Sequence, residues 1–194
     1  MRRFAALAAM LLLAACATVE NALPPSEAPK LKLTSVRVSF APEPLIKWEE
    51  GMREPLAGAN AITADQIAMA AEEPKFKEAV RNKLATRVRE GLERNLRPKL
   101  AGSRPVRLEI VVYNFVVSSA VQRVVIGGCH FMIADATLVD ASTGAPIVSH
   151  PKMNGTASAG QGWAGVAVDA MISGNDTDRV IDAYSQVFRN WLFR

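Results

Sequence analysis

Histidine and cysteine are scarce in this chain: its 194 residues hold two of each. Two cysteines cannot build a disulfide framework, and two histidines leave little for a zinc site. Long apolar runs are also lacking, with a single one at the N-terminus, which excludes a polytopic membrane protein. No internal repeat and no Gly-x-Ser-x-Gly motif is present. Charge of one sign is missing too. The formal net charge is +4, and without Arg2 and Arg3, which sit in a segment read below as removed, 21 basic side chains face 19 acidic ones. That balance does not argue for nucleic acid as a partner. What remains is 49% apolar, 22% charged and 6% aromatic, a composition suited to one ordinary globular domain with a real core.

The N-terminus carries the most specific signal. Met1-Arg2-Arg3 is a basic n-region, and Phe4 to Leu13 is unbroken apolar sequence. Ten residues of helix reach only ~15 Å, about half the hydrocarbon thickness of a bilayer, which is the length of a signal-peptide core. Leu13-Ala14-Ala15-Cys16 follows. This resembles the lipobox of bacterial lipoproteins: an aliphatic residue, two small ones, then cysteine. The resemblance implies a diacylglycerol on the Cys16 thiol, cleavage between Ala15 and Cys16, and acylation of the new amine. Several acyl chains, each buried CH₂ worth ~0.8 kcal/mol, make a stable anchor. Ala17, in place of the aspartate that retains such proteins in the inner membrane, implies the outer membrane and its periplasmic face. The chain thus divides into a leader at 1–15, a lipidated cysteine and tether at 16–30, and one domain at 31–194. Pro24, Pro25 and Pro29 give the tether a semi-extended character, reaching ~40 Å if it stays polyproline-like.

Within the domain, residues 31–40 alternate and read as a strand that Pro42 and Pro44 end. Residues 41–62 show no period and read as a long irregular segment. Thr63 to Glu72 has a capping-box start and fits a short helix. Pro74 opens a longer helix in which Phe76, Val80, Leu84, Val88, Leu92 and Leu96 recur every four residues and, with Ala79 and Ala85, form one buried face. Pro98 stops it. Residues 106–117, 123–126 and 131–139 supply strands, Asp140 to Gly144 a turn, and Ile147 a return strand. Gly155 to Gly165 reads as a glycine- and alanine-rich loop. A final helix carries Val180, Ile181, Tyr184, Val187, Phe188, Trp191 and Leu192, with Asn175 as its N-cap. The order predicts an α+β fold: an antiparallel or mixed sheet of about four to five strands with two main helices packed on one face.

Chemistry is harder to find. From Lys75 to Lys99 nine basic residues face three glutamates. Lys77 with Arg81, and Lys83 with Arg87, are like-charge pairs one turn apart, each costing a few tenths of a kcal/mol. Lys77, Arg81, Lys83, Arg87 and Arg94 are therefore candidates for contact with an anionic partner, against the alternative of a solvated face balanced by acids elsewhere in the fold. Gly127-Gly128-Cys129-His130 sets a thiol beside an imidazole, but neighbours along a strand point to opposite faces, so Cys129 reads as a small buried hydrophobe. Gly160 to Gly165 has the letters of a dinucleotide fingerprint without the βαβ unit that must follow. Ser149-His150-Pro151-Lys152 has those of a Ser-x-x-Lys motif, but Pro151 after a strand argues against the helix that motif requires. No metal, cofactor or catalytic group is expected.

From Arg104-Pro105-Val106 through Gly127-Gly128-Cys129-His130 to Asp140…Thr143-Gly144, the pattern together with the lipobox resembles small Gram-negative lipoproteins of unknown function. That resemblance implies a lipidated N-terminus on a compact periplasmic α+β domain. More loosely, the element order is similar to auxiliary lipoproteins of envelope transport and assembly machines. The expected function is a non-catalytic accessory factor that binds an envelope protein or glycolipid and supports envelope assembly or transport. The alternatives are a periplasmic lipid or small-molecule carrier, or a hydrolase using His130 with a nearby aspartate. Replacing Cys16→Ser should abolish palmitate labelling and leave uncleaved precursor; persistent labelling would remove the anchor assignment.

Overall fold

The structure is a computed structural model that describes residues 19–53, 69–70, 72–118, 128–158 and 175–194. Its elements are β1 (Leu31–Trp48), α1 (Glu49–Arg53), α2 (Pro74–Leu96), β2 (Arg104–Val117), β3 (His130–Asp140), β4 (Pro146–Ala157) and α3 (Asp176–Leu192). The four strands form one sheet in the order β1-β2-β3-β4. β1 and β2 are parallel, joined by the crossover that contains α2, and β2, β3 and β4 follow as an antiparallel meander. The fold is α+β with a mixed sheet. The leader, the lipobox with Cys16, the Thr63–Gln66 capping box, the 123–126 strand and the Gly160–Gly165 motif lie outside the described residues.

Alternation decides which face is dry. Leu33, Val36, Val106, Leu108, Ile110, Val112, Met132, Ala134, Ala136 and Leu138 are buried, and both long helices pack on that side. The four-residue stripe of α2 is buried from Phe76 to Leu96, joined by Gly91. Ala79 is exposed and Ala85 half-buried, because a strict four-residue spacing drifts around the helix and leaves them on the trailing edge. On α3, Asn175 caps as its sequence position implies, its Oδ1 accepting the Thr177 N–H at 2.8 Å. All the apolar residues expected on that helix are buried except Val187.

β1 is longer than its sequence suggests. Pro42 and Pro44 do not end it; pairing with β2 jumps from Phe40↔Val112 to Leu45↔Asn114, so residues 41–44 bulge outward and the strand resumes to Trp48. An edge strand tolerates this, since a proline on the unpaired side withholds no ladder N–H. The nearby edge is covered by α2, where Glu93 accepts the Val36 N–H at 3.1 Å and Arg97 donates to the Thr34 carbonyl at 3.0 Å. Only the 41–48 part of the supposed irregular segment is thereby corrected, together with α1 after it.

The tether is also corrected. From Val19 onward it is docked rather than free: Leu23 and Ala28 are buried, and Ala28–Lys30 forms a 3₁₀ turn. Asn21 donates to the carbonyls of Trp191 and Leu192 at 3.2 and 2.8 Å, capping the C-terminal end of α3. Trp191 returns a bond from its indole to the Val19 carbonyl at 3.0 Å. At the same end, Asp140 accepts from the hydroxyl and N–H of Ser142 and from the N–H of Thr143, which pulls its carboxyl down to about 2. Gly144 closes that turn at φ +74°.

Gly155 belongs to β4, not to a loop. A Cβ there would lie 2.3 Å from the Tyr184 Cα, so the missing side chain is what lets α3 seat on the sheet. Gly155→Ala should therefore cost ~2–3 kcal/mol by overpacking, measured as a lowered denaturant midpoint with unchanged slope.

Candidate functional site

The five cations singled out on α2 divide into two groups. Arg87 and Arg94 turn toward α3 and reach the Asp178 carboxylate at 3.1 and 3.4 Å, with Asp182 4.0 Å from Arg94. Asn95 reinforces the same seam, donating to Asp182 at 2.6 Å and to Ser185 at 3.1 Å. Lys83 lies over the ring of Trp48, 5.5 Å from its centroid. These three hold helices and strand end together. Lys77 and Arg81 instead face a groove, and Lys77 also reaches Glu72 at 3.5 Å.

The groove encloses about 460 Å³ between the β1 bulge and the N-terminal turns of α2. Its walls are Leu45, Ile46, Met52, Phe76 and Val80, with Pro42 and Pro44 at the bulge and Lys77 and Arg81 at the rim. Leu45 is 45% exposed and so presents its aliphatic side chain at the mouth of the groove. A second hollow of about 610 Å³ continues on the other side of Arg81, past Phe40 and Asn82. Arg81 thus lines both recesses, and among the described residues it makes no ion pair. The prolines that were expected to stop a strand build this wall. No sequence signal could have placed Ile46 and Met52 opposite Phe76.

Trp48 anchors the end of β1, beyond the groove. It is fully buried, its indole N–H donates to Thr177 Oγ1 at 2.8 Å, and Phe115 meets it edge-on at 6.2 Å. Thr177 donates in turn to Glu50 at 3.0 Å, and Glu50 accepts from Asn175 at 2.9 Å. The network joins α1 to the N-terminus of α3, where a carboxylate is favoured by the helix dipole.

His130 is completely buried. Its Nδ1 accepts the Ser118 N–H at 3.1 Å, so the ring proton sits on Nε2, which lies 3.5 Å from Asp176 Oδ1. Asp176 also meets Arg179 at 3.1 Å. A histidine–aspartate pair is therefore present, as the hydrolase alternative requires. However, none of the described cavities is lined by it, and its second nitrogen is committed to the backbone. Cys129 corrects the reading made from sequence: it is exposed, one residue before β3, while His130 points inward. Ser149 and Lys152 lie on β4 and share no helix face. Ser149 bonds Thr137 at 2.8 Å, and Lys152 takes φ +46° in a bulge, where its N–H is held by Asp135 at 2.7 Å. Asp135 also accepts from Tyr113 at 2.9 Å, which raises the phenol's pKa. Among the described residues no helix is long and apolar enough to cross a membrane, and no group of His, Cys, Asp and Glu could hold a metal.

These features define an α+β domain with two helices on one sheet face and a cation-rimmed apolar groove at one edge. The chain belongs to the family of unknown function DUF6778, whose profile matches residues 77–194, from the second turn of α2 to the end of α3. No curated protein matches it. Among solved structures, a candidate lipoprotein from Caulobacter crescentus CB15 is 19% identical, with a TM-score of 0.34 over 57% of this chain and 81% of that one. The dodecameric PelC of Paraburkholderia phytofirmans is 14% identical, TM-score 0.34, over 88% and 92%. A DUF330 protein from Xanthomonas campestris is 14% identical, TM-score 0.28, over 86% and 81%.

The geometry assigns His130 a structural task, joining the end of β2 to the start of α3. His130→Asn, which can offer an acceptor near the position of Nδ1, should retain most of the stability. His130→Leu strands the buried Ser118 N–H and should cost ~2–3 kcal/mol in chemical denaturation. Equal stability of the two variants would contradict this assignment.

Proposed function

We propose that this is a lipid-anchored envelope protein, tethered through Cys16 to the periplasmic face of the outer membrane, that acts as a non-catalytic binding factor in envelope assembly or transport. The groove is its binding site, and its ligand is an acyl chain bearing an anionic headgroup, as a glycolipid or phospholipid supplies. The observation that carries this reading is the pairing of an apolar trough with Arg81 and Lys77 at its rim. Its volume falls in the ~300–1,000 Å³ range of small-molecule sites. An aliphatic wall would bury methylenes at ~0.8 kcal/mol each, and the guanidinium would hold a phosphate or carboxylate through charge-assisted bonds. A carrier that transfers the lipid and an accessory subunit that senses it share this site. The hydrolase reading is less well supported, because the His130 Nδ1 is occupied by the Ser118 N–H rather than free to act as a base.

Arg87 and Arg94 are assigned to the fold, so a charge reversal there would report on stability rather than on binding. The informative variants are at the rim. A dansylated fatty acid should bind the protein with enhanced fluorescence and be displaced by phospholipid. Arg81→Glu should weaken it about tenfold or more, the loss of one charge-assisted contact. Leu45→Glu, at an exposed wall position, should weaken it without lowering the melting temperature. Failure to bind the probe, or wild-type affinity in both variants, would overturn the assignment.

A further inference from the structure

The chain's course gives the domain two distinct ends. At one end the docked residues 19–30, the α2–β2 turn at 97–103, the β3–β4 turn at 141–145 and the C-terminus of α3 come together. At the other are Trp48, Ser118, His130 and the N-terminus of α3. Strands of 11 to 14 residues separate them, which at ~3.3 Å per residue is about 36–46 Å.

From this we infer that the first end lies directly on the bilayer, and that Phe193, Lys99 and Arg189 form a surface that rests on anionic phospholipid. The inference depends on the anchor at Cys16 proposed above and adds the orientation of the domain. Cys16 and Val19 are three residues apart, so their Cα atoms are at most ~11 Å from each other. Val19 and Asn21 are tied to Trp191 and Leu192 by three hydrogen bonds, so residues 19–30 add no slack to the leash. An anchor at Cys16 therefore holds the end of α3 at the headgroups, whereas a free 40 Å spacer would not.

The surface there has the matching chemistry. Phe193 is 40% exposed and borders a shallow hollow with Lys99, Arg189 and Asn190. The neighbouring Lys30, Arg97 and Arg104 are engaged by Glu27, Glu93 and Asp140. Lys99 and Arg189 make no ion pair among the described residues. An aromatic ring sharing a hollow with two cations suits the interface of a bilayer that contains anionic lipid. The Arg81 groove and His130 then face away from the membrane, because α2 starts and β3 starts at the opposite end.

The test uses the full chain with Cys129→Ser, processed in a Gram-negative host and reconstituted in phosphatidylethanolamine/phosphatidylglycerol vesicles. A single reporter cysteine is introduced at Phe193 or Thr156 and labelled with bimane. Thr156 is exposed near the far end of β4. Intact mass reports acylation separately, and acylated Cys16 offers no competing thiol. Brominated lipid should quench the probe at Phe193→Cys several-fold more than at Thr156→Cys. Adding Asn21→Ala should shrink that difference by loosening the leash. Equal quenching at the two sites, or stronger quenching at Thr156→Cys, would overturn the orientation with the anchor intact. A mass without acyl chains on Cys16 would overturn the anchor itself, and the orientation with it.

Discussion

The seating of α3 on the sheet is the contact on which the other elements depend. It is possible only because Gly155 removes a Cβ that would meet the Tyr184 backbone, and because Gly91 makes similar room for Ile181 on the α2 side. With the helix that close, the Tyr184 hydroxyl reaches the Ala134 carbonyl at 3.1 Å, Thr177 takes the Trp48 indole, and the last carbonyls of α3 meet Asn21. Burial raises the Tyr184 phenol far above its ordinary range, so it stays a neutral donor. One helix thereby fixes the end of β1, the start of β3 through His130–Asp176, and the docked N-terminal segment. Interiors packed at this density do not yield to an added methyl group.

Where periodicity governs, the fold was legible in the sequence. The four-residue stripe of α2, the cap and stripe of α3, and the alternation of β2 each follow from burying one face of a regular element. The failures have a common cause. Pro42 and Pro44 read as strand breakers because local rules ignore whether a strand is interior or at an edge, and β1 is at an edge. The segment 19–30 read as a free tether because its prolines suit an extended chain. Its docking rests on Asn21 meeting Trp191 and Leu192, 170 and 171 residues away. Gly155 read as part of a loop because a strand glycine placed for close approach looks locally like a flexible one. Cys129 read as buried from the habits of free thiols, yet the exposed position precedes the strand by a single residue.

The candidate site was legible only in part. Composition marked α2 as unusually basic, and Arg81 and Lys77 were among the residues named. Nothing local distinguished them from Arg87 and Arg94, whose partner Asp178 is 91 and 84 residues on. Of the apolar lining, Phe76 and Val80 were legible as the stripe of α2, but Leu45, Ile46 and Met52 were not, since they gain their meaning from a bulge and a short helix.

What separates the two sets of cations is the stagger of the helices. Both α2 and α3 run from the far end of the sheet toward the docked N-terminal segment, but Gly91, late in α2, meets Ile181, early in α3. About three turns of α2 therefore extend beyond the start of α3. Arg87 is the first cation with an α3 carboxylate opposite it, and α3 begins with acids because a helix N-terminus favours them. Arg81 and Lys77 lie on the overhang, where the facing surface is not α3 but the β1 bulge and α1 with their apolar side chains. A uniformly basic helix is thus divided by geometry into a half neutralised within the fold and a half left over an apolar trough.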